Sequence, residues 1–300
     1  MEEPLKDLRN RVLAAYFSSP PTMALLVGLT LWALVALAGF LRSRGNDRLR
    51  LKALAHLLAA ATFFWVFLGL SVVICIGLAE TLHYDYTAAK IALAGATLGG
   101  LALALLAAYA VRAVAPQRAL AALASKEAPV PSWLEDRWRN LRALWRRPAA
   151  RLHVSLEPEP ISWAVDRDGG HVVVSQSLLV LLEREEVEAV IGHELAHLAH
   201  GDANSRVLER ALSRFLFFDP VSRLAAPASN RVREYLADSD SAVTLGAHRH
   251  LAAALAKIGR ALGDANLSDP LPMSVVGAGG GIIDYHPPLG KRIERLLRGL

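Results

Sequence analysis

The chain has 300 residues, of which 53% are hydrophobic, and a formal net charge of +5. Its mean hydropathy of +0.31 is high for a soluble protein and favours a membrane protein with a soluble part. The basic excess does not indicate nucleic-acid binding, because no nucleic-acid-binding motif is present and the arginines flank apolar runs. The single cysteine, Cys75, excludes both an intramolecular disulfide and a cysteine-based metal cluster.

Three apolar runs near the N-terminus predict transmembrane helices, at about 21–41, 53–79 and 88–114. A helix of each length can cross the roughly 30 Å hydrocarbon core. Single runs of this kind are also found in buried core helices, but three in succession make that interpretation weak. Before them, the apolar residues of positions 5–16 share one helical face, which predicts a short interfacial amphipathic helix.

The basic residues beside these runs predict how the chain is oriented in the membrane. The loop after the first run contains five basic residues and one acidic residue, namely Arg42, Arg44, Arg48, Arg50 and Lys52 with Asp47. By the positive-inside rule this loop and everything after residue 112 lie in the cytoplasm. We therefore predict an integral protein of the inner or plasma membrane with a membrane domain at 1–115. A basic connector and first soluble helix follow at 116–150, and a soluble domain at 151–300.

The pattern changes at residue 151. The segments "RLHVSLEP" and "HVVVSQ" read as short strands, separated by the turn "DRDGG". The segment "LEREEVEAVIGHELAHLAH" has helical periodicity, and further helices are predicted at 204–217, 229–245, 249–262 and 288–298. The predicted fold class is an α-helical membrane anchor of three transmembrane helices followed by a small α+β domain.

Residues 192–202, "GHELAHLAHGD", contain the candidate site. His193 and His197 are four positions apart on a predicted helix, so both imidazoles can share one metal ion. Glu194 is offset around the helix and can hold a metal-bound water without being a ligand. The competing interpretation is an ordinary amphipathic helix, because histidines at this spacing also occur without a metal.

A catalytic zinc takes three protein ligands and keeps one open position. The extended pattern HExxHxxGxxH fails here, because His200 and Ala203 occupy the positions of its glycine and last histidine. The segment "RVREYLAD" offers Glu234 instead, 37 residues past His197 on another predicted helix. Asp238, one turn further on, can accept a hydrogen bond from a ligand histidine.

Together, "HELAHLAHGD", "REYLAD" and "HPPLGKR" resemble the HtpX-like membrane zinc metallopeptidases, a gluzincin-type family related to the CAAX prenyl proteases. The resemblance covers about 151–300 and implies a zincin-like protease domain with a Zn²⁺ cofactor. It implies His193, His197 and Glu234 as zinc ligands and Glu194 as the general base. Supporting roles fall to Asp202 and Asp238, and to Arg292, which either orients the HPP element or fixes Glu234.

Two departures from the family pattern bear on the substrate. The family's Asn-Ala-Phe-like stretch corresponds to "PISWAVD", which lacks the Asn, although Trp163 can take the aromatic place. Members of the family have membrane spans between the HExxH helix and the third-ligand helix, whereas residues 203–228 of this chain carry too many charges to cross hydrocarbon. All spans therefore precede the soluble domain, and prenyl-peptide processing is disfavoured. The apolar cluster "FLFF" at 215–218 is expected to pack in the core, with contact to the membrane surface as the alternative.

The implied function is that of a membrane-anchored zinc metalloendopeptidase, with a protein or peptide substrate and the lipid bilayer as partners. His286, with Tyr285 and Tyr235 behind it, is the candidate donor to the oxyanion. The strand "HVVVSQ", with Val172 and Val174, is expected to pair with an extended substrate beside Trp163, which favours unfolded or membrane-proximal segments. Two other functions remain open, a signal transducer with a regulated protease domain and a non-catalytic scaffold.

Overall fold

A computed structural model describes residues 10, 13–14, 16–81, 106, 109–110, 114, 117–124, 126–263 and 287–299. The chain forms two compact units. The first comprises Met1–Ala110 with Ala211–Ala225, and the second comprises Val111–Arg210 with Ala226–Leu300. Because the segment 211–225 belongs to the first unit, the chain leaves the second unit and returns to it between the predicted metal ligands.

Two long helices dominate the first unit, α1 (Pro20–Arg42) and α2 (Asp47–Thr81). Both are long and apolar enough to cross a membrane, which agrees with the first two predicted spans. A short turn joins them, and Gly45 adopts a φ of 87° there, a conformation that favours glycine. The predicted third span, 88–114, and the amphipathic segment before residue 16 lie largely outside the described residues.

A four-stranded mixed sheet organises the second unit. Its strands are β1 (Glu127–Ala128), β2 (Arg151–Ser155), β3 (Ser162–Val165) and β4 (His171–Ser175), in the order β1-β2-β4-β3. Strand β4 pairs in parallel with β2 and antiparallel with β3. β4 is therefore an inner strand, and its continuous valine run is typical of a strand buried on both faces.

Seven further helices of the described part of the chain follow from residue 132 onward. They are α3 (Ser132–Leu144), α4 (Gln176–Leu181), α5 (Arg184–His200), α6 (Asp202–Phe215), α7 (Pro220–Leu245), α8 (His248–Gly263) and α9 (Leu289–Arg298). The predicted start of α7 at Ser229 is wrong. The helix already begins at Pro220, where proline's fixed φ suits a first turn, and it contains Pro227 in its interior.

Helix α5 is the centre of the second unit. It packs against β3, β4, α3 and α8. Its buried residues run without interruption from Ala189 to Leu198. Most surface helices bury only one stripe, whereas a helix buried on all sides lies inside a core. The HELAH motif is thereby held in the interior of the unit, where its polar side chains need partners.

Candidate metal centre

The HELAH motif occupies the last turns of α5. A capping box between Glu183 and Glu186 stabilises the start of the helix, and Gly201, at a φ of 68°, ends it. The side chains of His193 and His197 project from one face, and the two residues are 0% and 5% exposed. Buried imidazoles require polar partners for both ring nitrogens.

Helix α7 brings Glu234 to these two histidines. The possible ligand atoms of the three residues all lie within 4.8 Å of one another. The two histidine Nε2 atoms are 3.1 Å apart, and each is 3.5 Å from a Glu234 carboxylate oxygen. Three possible metal-ligand side chains, carried by two helices, therefore converge on one point.

A carboxylate faces the outward ring nitrogen of each histidine. His193 Nδ1 is 2.9 Å from Asp238 Oδ1, and His197 Nδ1 is 2.9 Å from Asp202 Oδ2. When Nδ1 donates to a carboxylate, Nε2 presents a lone pair, which is the form that binds a metal. This hydrogen-bond geometry is formed between His197 and Asp202, whereas Asp238 lies close to His193 Nδ1 without it.

These residues fit a divalent metal ion. Two lone pairs 3.1 Å apart cannot bond to each other, but they can share a cation. Ligands at about 2.0 Å from a tetrahedral zinc are separated by roughly 3.3 Å, close to the distance found here. A positively charged side chain of the protein also lies at the cluster. Arg206 Nη2 donates to Glu234 Oε1 at 2.7 Å and lies 2.9 Å from His197 Nε2.

Arg292 holds the third candidate ligand in place. It is 1% exposed, it donates to Asp238 at 2.7 and 2.6 Å, and it lies 3.2 Å from Glu234 Oε2. Burial alone would raise the pKa of the Glu234 carboxyl, but Arg206 and Arg292 hold that pKa well below its usual range. Glu234 is therefore ionised, as a ligand must be. Arg292 therefore contacts both the third candidate ligand, Glu234, and the carboxylate beside His193, Asp238.

The candidate base, Glu194, points toward the sheet. It is 3% exposed, and its Oε1 accepts a 2.8 Å hydrogen bond from Ser162 Oγ on β3. Nothing in the sequence identified Ser162, because a lone serine in a strand carries no pattern. Arg206 was missed as well, because its contacts with His197 and Glu234 join different helices and leave no spacing pattern in the sequence.

The expected pairing of β4 with substrate is wrong. Both edges of β4 are occupied by β2 and β3, and Val172 and Val174 are fully buried. Among the described residues β3 pairs only with β4, so β3 is one of the two edge strands of the sheet, and all four of its residues are buried. Trp163 lies on β3 but is only 8% exposed, and it packs in a small cluster with Ile161.

The proposed oxyanion donor, His286, and Tyr285 lie outside the described residues. Tyr235 follows Glu234 on α7, and the guanidinium carbon of Arg295 lies 4.2 Å from the centroid of its ring. Burial raises the pKa of the Tyr235 hydroxyl, which keeps it protonated and able to donate.

Comparisons with known proteins identify the family. A family model described as peptidase family M48 matches residues 132–226. A protease HtpX homolog from Pseudarthrobacter chlorophenolicus is 30% identical over 222 residues, which cover 60% of this chain and 76% of that protein. A protease HtpX homolog from Dictyoglomus thermophilum is 28% identical over 191 residues, 50% of this chain and 63% of that protein.

Protease HtpX from Xylella fastidiosa is 28% identical over 194 residues, 50% of this chain and 66% of that protein. The match spans a little under two thirds of several such relatives, for example 62% of the Variovorax paradoxus homolog. Membership implies a metal cofactor, which the His193, His197 and Glu234 cluster can hold. The chain therefore belongs to peptidase family M48 and, within it, to the HtpX-like metallopeptidases.

Proposed function

We propose that this protein is a membrane-anchored zinc metalloendopeptidase that hydrolyses peptide bonds. The observation that carries the proposal is the convergence of His193, His197 and Glu234 beside the buried Glu194. Two imidazoles and one carboxylate form a ligand set typical of catalytic zinc, and they leave one coordination position for water or substrate. The two apolar helices α1 and α2 supply the membrane anchor.

The chain's own residues account for the proton transfers. A zinc ion, when bound, polarises the scissile carbonyl and makes a water nucleophilic near neutral pH. Glu194 is placed beside the candidate ligands, where it would accept a proton from the attacking water and deliver it to the leaving amine. Ser162 holds the Glu194 carboxylate through Oε1. His286 remains the proposed donor to the oxyanion, and its removal should lower kcat by roughly a hundredfold with metal retained.

The edge strand β3 is the proposed binding site for the substrate backbone. An extended peptide can add to this edge through main-chain hydrogen bonds, which depend little on side-chain identity. Ser162 lies on the same strand and contacts Glu194, so a peptide on β3 would run past the base. This arrangement favours unfolded or membrane-proximal protein segments as substrates.

The proposed orientation places the protease domain in the cytoplasm. It rests on the arginine-rich loop after α1. A reporter fused after residue 300 should behave as cytoplasmic, and one placed near Asp85 as extracytoplasmic. Extracytoplasmic activity of the C-terminal fusion would reverse the assignment.

Metal analysis combined with a protease assay tests the function. Wild type, Glu194→Gln and Glu234→Ala would be purified in detergent and assayed on unfolded casein, with His250→Ala as an exposed-histidine control. We expect Glu194→Gln to lose activity but keep its zinc, because Glu194 is not a ligand. Glu234→Ala should lose both. Full activity in Glu234→Ala would move the third ligand elsewhere, and activity in Glu194→Gln would exclude Glu194 as the base.

A further inference from the structure

Residues 211–225 comprise the end of α6, the turn after it and the start of α7, and are here called the tip segment. It belongs to the first unit, together with α1 and α2. Three of its large apolar side chains are exposed, with Phe217 70% exposed, Phe218 52% and Leu224 49%, whereas Leu216 is buried. Asp219 is 4% exposed and Ser222 is fully buried, while Arg214 and Arg223 are exposed. Exposed large apolar side chains this close together mark a surface that contacts a partner or a membrane.

Phe218 contacts a membrane helix. Its ring packs edge-on against Trp65 of α2, with the ring centroids 5.0 Å apart, and it also contacts Phe217. Lys52 precedes Trp65 by 13 residues and Glu80 follows it by 15, with no Asp, Glu, Lys or Arg between them. At 1.5 Å per residue, Trp65 therefore lies about 20 Å along the helix from either charge. That places it within the hydrocarbon core, which is about 30 Å thick.

Several backbone amides of the tip segment have hydrogen-bond partners within the segment. Leu216 N donates to Leu212 O at 2.8 Å, and Asp219 N donates to Leu216 O at 2.9 Å. The Asp219 carboxylate accepts from Ser222 N at 2.6 Å and so caps the start of α7. Backbone outside a helix is tolerated at membrane depth only when its polar groups are paired in this way.

We propose that the tip segment inserts Phe217, Phe218 and Leu224 into the hydrocarbon of the bilayer that surrounds α1 and α2. The segment enters the membrane without crossing it. Arg214 and Arg223 are exposed on either side of the turn, and their long side chains can reach lipid phosphates while their stems stay in apolar surroundings. The inference is independent of the proposed proteolytic activity.

Lipid is favoured over another occupant because the exposed rings continue a surface that already faces the bilayer. Phe218 packs on Trp65, whose helix is a candidate span, so whatever surrounds that part of α2 also surrounds Phe217. A second copy of the chain would have to enter the membrane to cover the same rings. Water would leave two adjacent phenylalanines and a leucine exposed without compensation.

Fluorescence quenching in nanodiscs that hold one full-length copy tests the proposal. In a Cys75→Ala background, an environment-sensitive probe would be attached at Phe217→Cys and separately at Leu224→Cys. Val35→Cys on α1, 70% exposed, is the lipid-facing control, and Val180→Cys on α4, 83% exposed, is the control outside the candidate spans. Spin-labelled lipid acyl chains serve as the membrane quencher and iodide as the aqueous one.

Both tip probes should behave like the one at Val35. We expect strong quenching by the spin-labelled lipid and an iodide quenching constant about tenfold below that of the Val180 probe. Iodide quenching equal to that at Val180 would show that the tip is in water. Protection from both quenchers would show that the chain itself covers the rings. Either result overturns the proposal, and agreement between the two tip positions guards against a local effect of one substitution.

Discussion

Ser162 Oγ donates a 2.8 Å hydrogen bond to Glu194 Oε1, and the two residues are 0% and 3% exposed. One buried strand therefore supplies both an edge of the sheet that no described strand pairs with and the hydroxyl that contacts the proposed base. A buried carboxylate with a single well-placed donor has few rotamers available, so the hydroxyl acts on the position of the base. Ser162 acts through Glu194, and the proposed chemistry stays with the glutamate.

Ser162→Ala should lower kcat by roughly tenfold and leave KM and metal content unchanged. The expected loss comes from a carboxylate that spends less time in the reactive position. Ser162→Thr keeps the hydroxyl and should restore most of the rate. Ser155→Ala is the matched control, because Ser155 is a buried serine of β2 whose hydroxyl makes no hydrogen bond within the described structure. An equal loss in both alanine variants would point to sheet stability instead.

The carboxylates behind the two histidines should control metal affinity. Asp202→Asn and Asp238→Asn remove the charge beside His197 and His193, and each should weaken zinc binding by roughly 10- to 100-fold. Chelator competition measures the affinity directly, without activity. Asp240→Asn is the control, since Asp240 contacts the non-ligand His200 at 2.8 Å. Unchanged affinity in Asp202→Asn and Asp238→Asn would contradict the supporting role.

Protonated His200 should stabilise the protein, and this contribution should be lost at alkaline pH. Its hydrogen bonds with Asp202 and Asp240 raise the pKa of His200 to about 9 from the ordinary value of 6.5. Because the folded state binds this proton more tightly, the stabilisation is complete below pH 6.5 and is lost as the pH rises through 9. His200 is 25% exposed, so solvent screening reduces the effect to roughly 1–2 kcal/mol.

Thermal unfolding of wild type and His200→Gln in detergent measures this contribution. The wild type should melt a few degrees higher at pH 6, and the difference should shrink toward zero by about pH 9.5. Comparing the two proteins at each pH removes the contributions of all other titrating groups. A difference that does not change with pH would mean that the His200 proton does not stabilise the fold.

Local spacing made much of this molecule predictable. The first two apolar runs predicted α1 and α2. The four-residue interval between His193 and His197 predicted that both side chains lie on one face of a helix. The REYLAD segment offered Glu234 on a second predicted helix, and the resemblance to the HtpX-like family implied it as the third ligand. These features depend on neighbours within a few turns of the same helix.

Long-range pairing was not predictable in the same way. The inner position of β4 follows from its partners on both sides, and its unbroken valine run is typical of a strand in such a position. Contacts between elements, such as Ser162 with Glu194, leave no spacing pattern in the sequence. The FLFF cluster was visible, but the structure divides it, with Leu216 buried and Phe217 exposed. Composition alone does not show which side chains of the cluster face inward and which face outward.

Gly192 sets how closely α5 approaches α7. A Cβ at this position would lie 2.6 Å from Leu245 Cδ1 and 2.7 Å from Ser241 Oγ. Ser241 is fully buried and donates to Ala189 O at 2.9 Å, so it cannot move away freely. It lies two turns after Glu234 on the same helix, and pushing it outward would also shift the Glu234 carboxylate.

Gly192→Ala should therefore destabilise the protein and weaken its metal site. Alanine in a helix interior ordinarily gains about 1 kcal/mol over glycine, but overpacking here should cost roughly 1–3 kcal/mol. We expect zinc affinity, from chelator competition, to fall about tenfold or more. Gly263→Ala at the end of α8 has open space for its Cβ and is the matched control. Adding Ser241→Ala to Gly192→Ala removes the Oγ contact and should recover part of the affinity. Wild-type affinity in Gly192→Ala alone would show that the helix spacing does not depend on this glycine.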